Sequence, residues 1–313
     1  MGKNLPSPPR AGLFCSPACW LLIWLLFWAF GLPGLSRACE IIAVKSDALP
    51  LYDKTLSGIE SVLPCRITSV PLSPSKGKEV LELIEDRNPD AVVAVGTYAF
   101  RKLRNAKIPN LVYTMAIPYE VENDSPGSIT GVGIIISPEV YIENIVEVFG
   151  SIRRLGVLYS PGKASGYARE IFSAARARGV EVLPIEVHSV EDVPPAFREL
   201  RSRPDVLLML PDPAVASPEA LNAILLYSFQ NSIPLVSFAR KYVTMGAVLS
   251  LEVDPFDIGV QTGELIGKIL KEGRSSARKL YARKVRLTIN QKVAQKMSLP
   301  LRESSLKRAE IIR

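Results

Sequence analysis

The sequence has 313 residues, 48% of them hydrophobic and 22% charged, and carries a formal charge of +7. This is a globular composition with enough length for one large domain or two small lobes, which excludes a low-complexity or disordered chain. The basic residues are spread along the chain apart from the tail "LKRAEIIR", so composition gives no support to a nucleic-acid partner.

The first 38 residues differ from the rest. Lys3 and Arg10 give a positive start, and "CWLLIWLLFWAF" (Cys19–Phe30) follows as an uninterrupted apolar run. "GLPGL" breaks that run, and Ser36-Arg37-Ala38 offers a small-x-small cleavage site. Charged start, short apolar core and small residues at the cut are the pattern of a secretory signal peptide. The alternative is a retained anchor, but a spanning helix needs roughly 20 apolar residues and this core is shorter. Trp20, Trp24 and Trp28 all lie in the segment, and removing it leaves a net charge of +4.

From Glu40 onward, β-branched runs alternate with helical patterns. The first strands are expected at 40–44, 66–70, 91–95, 110–114 and 129–136, with a helix at 78–87. "RRLGVLY" (153–159) then restarts the alternation, with strands at 155–160, 180–187, 205–210, 234–238 and 247–251 and a last one at 285–289. Helices are expected at 166–179, 217–231 and 254–273, and three helix starts read alike: "SPEV" at 137, "SPEA" at 217 and "DPFD" at 254. Each pairs a capping Ser or Asp with proline at the first helical position. Most strands are near-continuously apolar, as parallel strands covered on both faces are. The restart predicts two doubly wound α/β lobes, with a small-molecule site in the cleft between their strand ends.

Catalytic equipment is sparse. His188 is the single histidine, and a lone His without a Cys or acidic cluster makes no zinc site. There is no G-x-S-x-G elbow, and "PSKGKE" (74–79) lacks the first glycine and the hydroxyl residue of a phosphate loop. Glu252 and Asp254 could form an acid/base pair, but carboxylates at that spacing occur by chance. The reading is therefore a binding protein, not an enzyme, with no metal and no cofactor.

Four stretches occur in the order of one family: "GVLYSPGKASGYAREI" (156–171), "LLMLPDPAVASPEAL" (207–221), "GAVLSLEVDPFDIGVQTGELIGKIL" (246–270) and "RLTINQKVAQKMSLPL" (286–301). They resemble the ABC-transporter substrate-binding proteins of the tryptophan/tyrosine-type branch, which have a type I periplasmic-binding fold. The likeness covers essentially all of residues 39–301. It implies two doubly wound parallel-sheet lobes joined by a three-crossover hinge. The expected division is a signal peptide at 1–38, a first lobe at 39–133, a second lobe at 134–250 and a return to the first lobe at 251–275. A second-lobe terminal strand and helix follow at 276–301, and a basic tail at 302–313. The crossings are expected near 127–133, 250–255 and 273–284.

The resemblance also implies a partner: an ABC permease in the inner membrane, on which a monomeric, ligand-closed protein docks. The alternative is an exported sensing module for a membrane kinase, using the same cleft. The ligand guessed is an amino acid or similar zwitterion.

Candidate ligand-binding residues follow the strands. Ser46 is suited to a ligand carboxylate, as are exposed amides at a helix start, and Thr97, Tyr98 and Thr114 come from the same lobe, with Met115 beside them. The second lobe offers Ser160, Tyr167 as a stacking ring, Asp212 for a ligand ammonium, Phe238 as an apolar wall, and Glu252. Each has a plain structural alternative as cap, turn or core. "LPDPAVAS" stands where family members often carry more hydroxyl or amide residues.

Removal of the leader leaves Cys39 and Cys65. The stretch "GLSRACE" (34–40) could make Cys39 a lipid attachment point, a free first residue or half of a disulfide. A lipoprotein site carries an aliphatic residue three places before the cysteine, where this chain has Ser36. If the first two strands are neighbours, Cys39 and Cys65 lie at one edge, and a bridge is favoured over lipidation. Periplasmic or other extracytoplasmic placement is expected.

Overall fold

The computed structural model describes residues 39–73, 75, 77–117, 130–162, 164–273 and 279–313. The leader, and the part of the first expected crossing before residue 130, lie outside these. The region Cys39–Arg313 forms one compact unit.

Its first sheet is built from β1 (Glu40–Lys45), β2 (Arg66–Pro71), β3 (Ala91–Val95), β4 (Leu111–Ala116), β5 (Thr130–Ile136) and β11 (Leu280–Ala282). The spatial order is β11-β5-β4-β3-β1-β2, all parallel. Helices α1 (Pro50–Glu60), α2 (Gly77–Arg87) and α3 (Thr97–Leu103) connect its strands. All five residues of β3 are buried, which is why its run "AVVAV" shows no alternation. Edge strand β2 shows partial exposure along its length instead.

The second sheet holds β6 (Arg154–Tyr159), β7 (Glu181–Glu186), β8 (Val206–Met209), β9 (Leu235–Ser237), β10 (Leu249–Val253), β12 (Val285–Asn290) and β13 (Glu310–Ile312). Its order is β13-β12-β10-β9-β8-β6-β7, with the β10/β12 pair antiparallel and the rest parallel. It is wrapped by α4 (Pro138–Phe149), α5 (Ser165–Ala177), α6 (Val193–Arg198), α7 (Pro218–Gln230) and α8 (Arg240–Met245), with α10 (Gln291–Lys296) and α11 (Glu303–Arg308) near the end of the chain. The expected caps form: Ser137 Oγ accepts from Val140 N at 3.4 Å, Ser217 Oγ from Ala220 N at 3.3 Å, and Asp254 Oδ1 from Phe256 N at 3.0 Å. Proline occupies the first turn of each helix. Two α/β lobes are therefore present, each a mostly parallel sheet covered by helices.

Three passages join them. The chain leaves the first sheet after β5, which continues to Ile136, and enters the second lobe at α4. It returns after β10 through α9 (Pro255–Glu272), which lies along α1 in the first lobe. It leaves again between β11 and β12, at Arg283 and Lys284. Asp254 N donates to Lys284 O at 3.3 Å, tying the second passage to the third. Arg283 reaches back to α9, its guanidinium meeting Asp257 at 3.1 Å and Glu264 at 2.9 Å. From the second lobe, α5 braces the first passage: Tyr167 Oη donates to Ile136 O at 2.7 Å. One turn further along α5, Glu170 pairs with Lys279 at 3.4 Å and with the hydroxyl of Tyr281 on β11.

Residues 302–313, read from sequence as a basic tail, are folded. They supply α11 and the edge strand β13, and Arg308 binds Asn144 Oδ1 and Glu147 Oε2, both at 2.8 Å. Strands β11 and β13 were not expected, because three residues are too few to show a period.

A disulfide joins Cys39 and Cys65, with Cα atoms 4.6 Å apart. It sits at the amino ends of β1 and β2 and fastens edge strand β2 to the sheet, beside the bond from Arg66 N to Cys39 O at 2.8 Å. Replacing both cysteines by serine is expected to lower unfolding free energy by about 3 kcal/mol, read from the denaturant midpoint. Ligand affinity should be unchanged, because the bridge lies at the sheet edge opposite the strands' carboxyl ends. A double variant as stable as the parent would remove the bridge from the account of this lobe.

Candidate ligand-binding site

The strands place the site. In parallel strands the carboxyl ends share one edge, and β5, β10 and β11 each pass into the other lobe from that end. Both carboxyl edges therefore flank the same crossings. The buried ends of β5, Ile135 and Ile136, pack in one cluster with partly buried Val253, Tyr281 and Val285 from the other crossings.

At the edge of the first sheet, β3 turns into α3 at Gly96, whose φ of +91° is a conformation that suits glycine. Ser46, just past β1, turns its Oγ toward this helix start and accepts from Ala99 N at 2.9 Å. Thr97 Oγ1 accepts from Ile117 N at 3.0 Å and thereby holds the end of β4. Both hydroxyls act as acceptors in these bonds, which leaves each O–H proton available to a ligand. Met115 has φ +55° at the irregularity between Thr114 and Ala116, a left-handed backbone at the end of β4. Such conformations concentrate at ligand-binding and active sites.

At the edge of the second sheet, Asp212 follows β8 and is 5% exposed. Its Oδ1 accepts from Ala214 N at 2.9 Å, and its Oδ2 accepts from Ser160 Oγ at 2.5 Å. Ser160 follows β6, the neighbouring strand. Each carboxylate oxygen keeps a further lone pair, so the pair can accept from a cationic group. Phe238, after β9, is half-buried and meets Tyr242 edge-on at 5.0 Å.

The structure thus brings Ser46 and Thr97 together at one edge and Ser160 and Asp212 at the other. It takes other candidates elsewhere. Thr114 is fully buried and its Oγ1 lies 2.8 Å from Thr262 Oγ1 of α9, inside the first lobe. Tyr167 is 1% exposed, its ring in the second-lobe core and its hydroxyl spent on Ile136. Tyr98 is exposed, with Lys102 Nζ 5.6 Å from its ring centre. Glu252 accepts from Ser250 Oγ at 2.8 Å and stands opposite Arg286 in the β10/β12 register. Among the described residues, no group of three His, Cys, Asp or Glu side chains could hold a metal ion.

Sequence reasoning missed Tyr52, on the first turn of α1, whose hydroxyl approaches Gly96 at the same edge as Ser46. It missed it because the search followed the residues after each strand, and Tyr52 arrives from a helix.

Comparison with known proteins gives the class. The model of the family described as "ABC transporter substrate binding protein" matches residues 67–312. The chain belongs to this family. A tyrosine-binding protein of Clostridioides difficile (strain R20291) is 22% identical over 195 residues, covering 59% of this chain. The aligned stretch spans just over half of that relative, 56% of its length. Among solved structures, an ABC domain in complex with L-Trp from Streptococcus pneumonia matches 87% of this chain and 100% of its own, at 21% identity and a TM-score of 0.57. The ligand-free, open structure of a substrate binding protein with adhesive properties from Clostridium difficile matches 88% and 99%, at 16% identity and a TM-score of 0.70. These similarities establish the type I periplasmic-binding fold for this substrate-binding protein. Its family is a class of binding proteins, not an enzyme class. Among the described residues, no helix is long and apolar enough to cross a membrane.

Proposed function

We propose that this substrate-binding protein is exported, captures a zwitterionic amino acid between its lobes and delivers it to an ABC permease in the membrane. One observation carries the reading. Hydroxyl donors stand at one carboxyl edge (Ser46, Thr97), and a buried carboxylate supported by Ser160 stands at the other (Asp212). A carboxylate on the first lobe and an ammonium on the second would each meet complementary groups. Phe238 supplies half-buried apolar surface beside the second edge.

Two relatives bear on the ligand. One is described as tyrosine-binding, and the other was solved with L-Trp. The leader pattern and the Cys39–Cys65 bridge support an extracytoplasmic site, since disulfides persist in oxidising compartments. The bridge also uses the sulfur to which a lipid would be joined. Family membership favours the importer over a kinase-coupled sensor.

A thermal-shift screen of the L-amino acids tests the reading. A ligand at a hundredfold excess over its Kd stabilises by about 2.7 kcal/mol. At least one amino acid, with aromatic ones first, should raise the melting temperature. A complete panel that leaves it unmoved would remove the amino-acid assignment.

A further inference from the structure

The phenol of Tyr52 is half-buried and reaches the same edge as Ser46 and Thr97. A Cβ built on Gly96 would lie 2.5 Å from Tyr52 Oη and 2.6 Å from Ser46 Oγ. The two oxygens therefore sit within about 5 Å of each other over the Gly96 backbone. Any side chain at position 96 would occupy the space that admits them. Glycine here serves the approach of two hydroxyls as well as the turn.

Ser46 and Thr97 are engaged as acceptors, Ser46 by Ala99 N and Thr97 by Ile117 N. Tyr52 Oη makes no hydrogen bond among the described residues. The oxygen is not sealed from solvent, so a bound acceptor can take the place of water on it. Burial, and after it the nearby charge of Asp47, push the Tyr52 pKa up, so the phenol keeps its proton as a donor.

We propose that Tyr52 Oη is a third hydroxyl donor to the carboxylate of the bound ligand, completing a set with Ser46 and Thr97. This rests on the amino-acid reading above and assigns Tyr52 a role in setting specificity. The ligand class it selects is the free α-carboxylic acid, against the corresponding amine or amide.

The test compares Tyr52→Phe with the parent protein by titration calorimetry. The probes are L-tryptophan and L-tyrosine, with tryptamine and tyramine as the matching amines. The parent should bind an amino acid more tightly than its amine. The variant should bind that amino acid about tenfold more weakly while its affinity for the amine is unchanged. Its ligand-free melting temperature should match the parent's, because no hydrogen bond is lost. Equal amino-acid affinity in parent and variant would overturn the assignment of Tyr52 alone. A parent that binds tryptamine as tightly as L-tryptophan would also overturn it. A parent that binds none of the four probes would overturn it together with the aromatic amino-acid reading.

Discussion

Gly259→Ala should lower the unfolding free energy by about 3 kcal/mol or more, a large loss for one methyl group. The reason lies in how α9 reaches the first lobe. A Cβ at Gly259 would stand 2.0 Å from the Thr55 carbonyl oxygen and 2.9 Å from Gly58 Cα. From the other side, a Cβ at Gly58 would stand 2.1 Å from Phe256 O. These are backbone atoms, so relief requires the two helices to separate. Separation would uncover Ile258, Leu265, Ile266 and Ile269, which are buried against Leu56, Ile59 and the strands. The neighbouring glycines set a gradient. At Gly263 the nearest atom is Val62 Cγ2 at 2.6 Å, a side-chain atom, with Ile59 O at 3.1 Å behind it. At Gly267 it is Leu63 Cδ1 at 3.4 Å, ordinary contact. Alanine favours helix over glycine by about 1 kcal/mol, so Gly267→Ala should be neutral or stabilising. Urea midpoints for the three alanine variants should rise in the order 259, 263, 267. A Gly259→Ala protein melting with the parent would mean that the helices are not in backbone contact.

Asp212→Asn should weaken binding of the amino acid identified by the screen about a hundredfold, near 3 kcal/mol. Asparagine has the same shape, and its oxygen can keep the bond from Ala214 N. Its amide nitrogen then takes the place of Oδ2, facing Ser160 and the incoming ammonium with donors. Ser160 must reverse its hydroxyl to accept, and the ligand cation loses its counter-charge. Because the local bonds can be remade, ligand-free stability should move by no more than about 1 kcal/mol. Calorimetric affinities within threefold of each other would show that Asp212 is a turn-forming residue and no more.

The fold was legible because parallel strands covered on both faces leave short apolar runs, and "SPEV", "SPEA" and "DPFD" mark their helix starts. The site was legible only as a set of edges. Knowing that Thr114 ends a strand does not tell which face it takes, and its face is the one α9 covers. Tyr167 reads as an aromatic near the cleft. The carbonyl oxygen of Ile136, 31 positions earlier, accepts from its hydroxyl and makes it the first-passage brace. Ser46 and Thr97 show a subtler mixing. Each is spent on a backbone N–H and still holds a proton to offer, so cap and ligand contact are compatible roles. Asp212 reads in sequence both as an acid for a ligand ammonium and as a turn residue before proline. Its burial and its bond to Ser160 come from the adjacency of β6 and β8, which no local pattern encodes.

The glycine contact between α1 and α9 joins residues about 200 positions apart, with five of the second sheet's seven strands threaded between them. During synthesis, residues 39–136 emerge long before the helix that seals them. Until α9 arrives, Leu56, Ile59 and their neighbours have no cover, and β11 is missing from the sheet edge. The second lobe has most of its strands in one continuous stretch, from β6 to β10. The amino-terminal lobe, although first out, is thus completed only by segments made after most of the second lobe. Under the export proposed above, a chain held unfolded until it has been carried across a membrane would be served by that order of assembly.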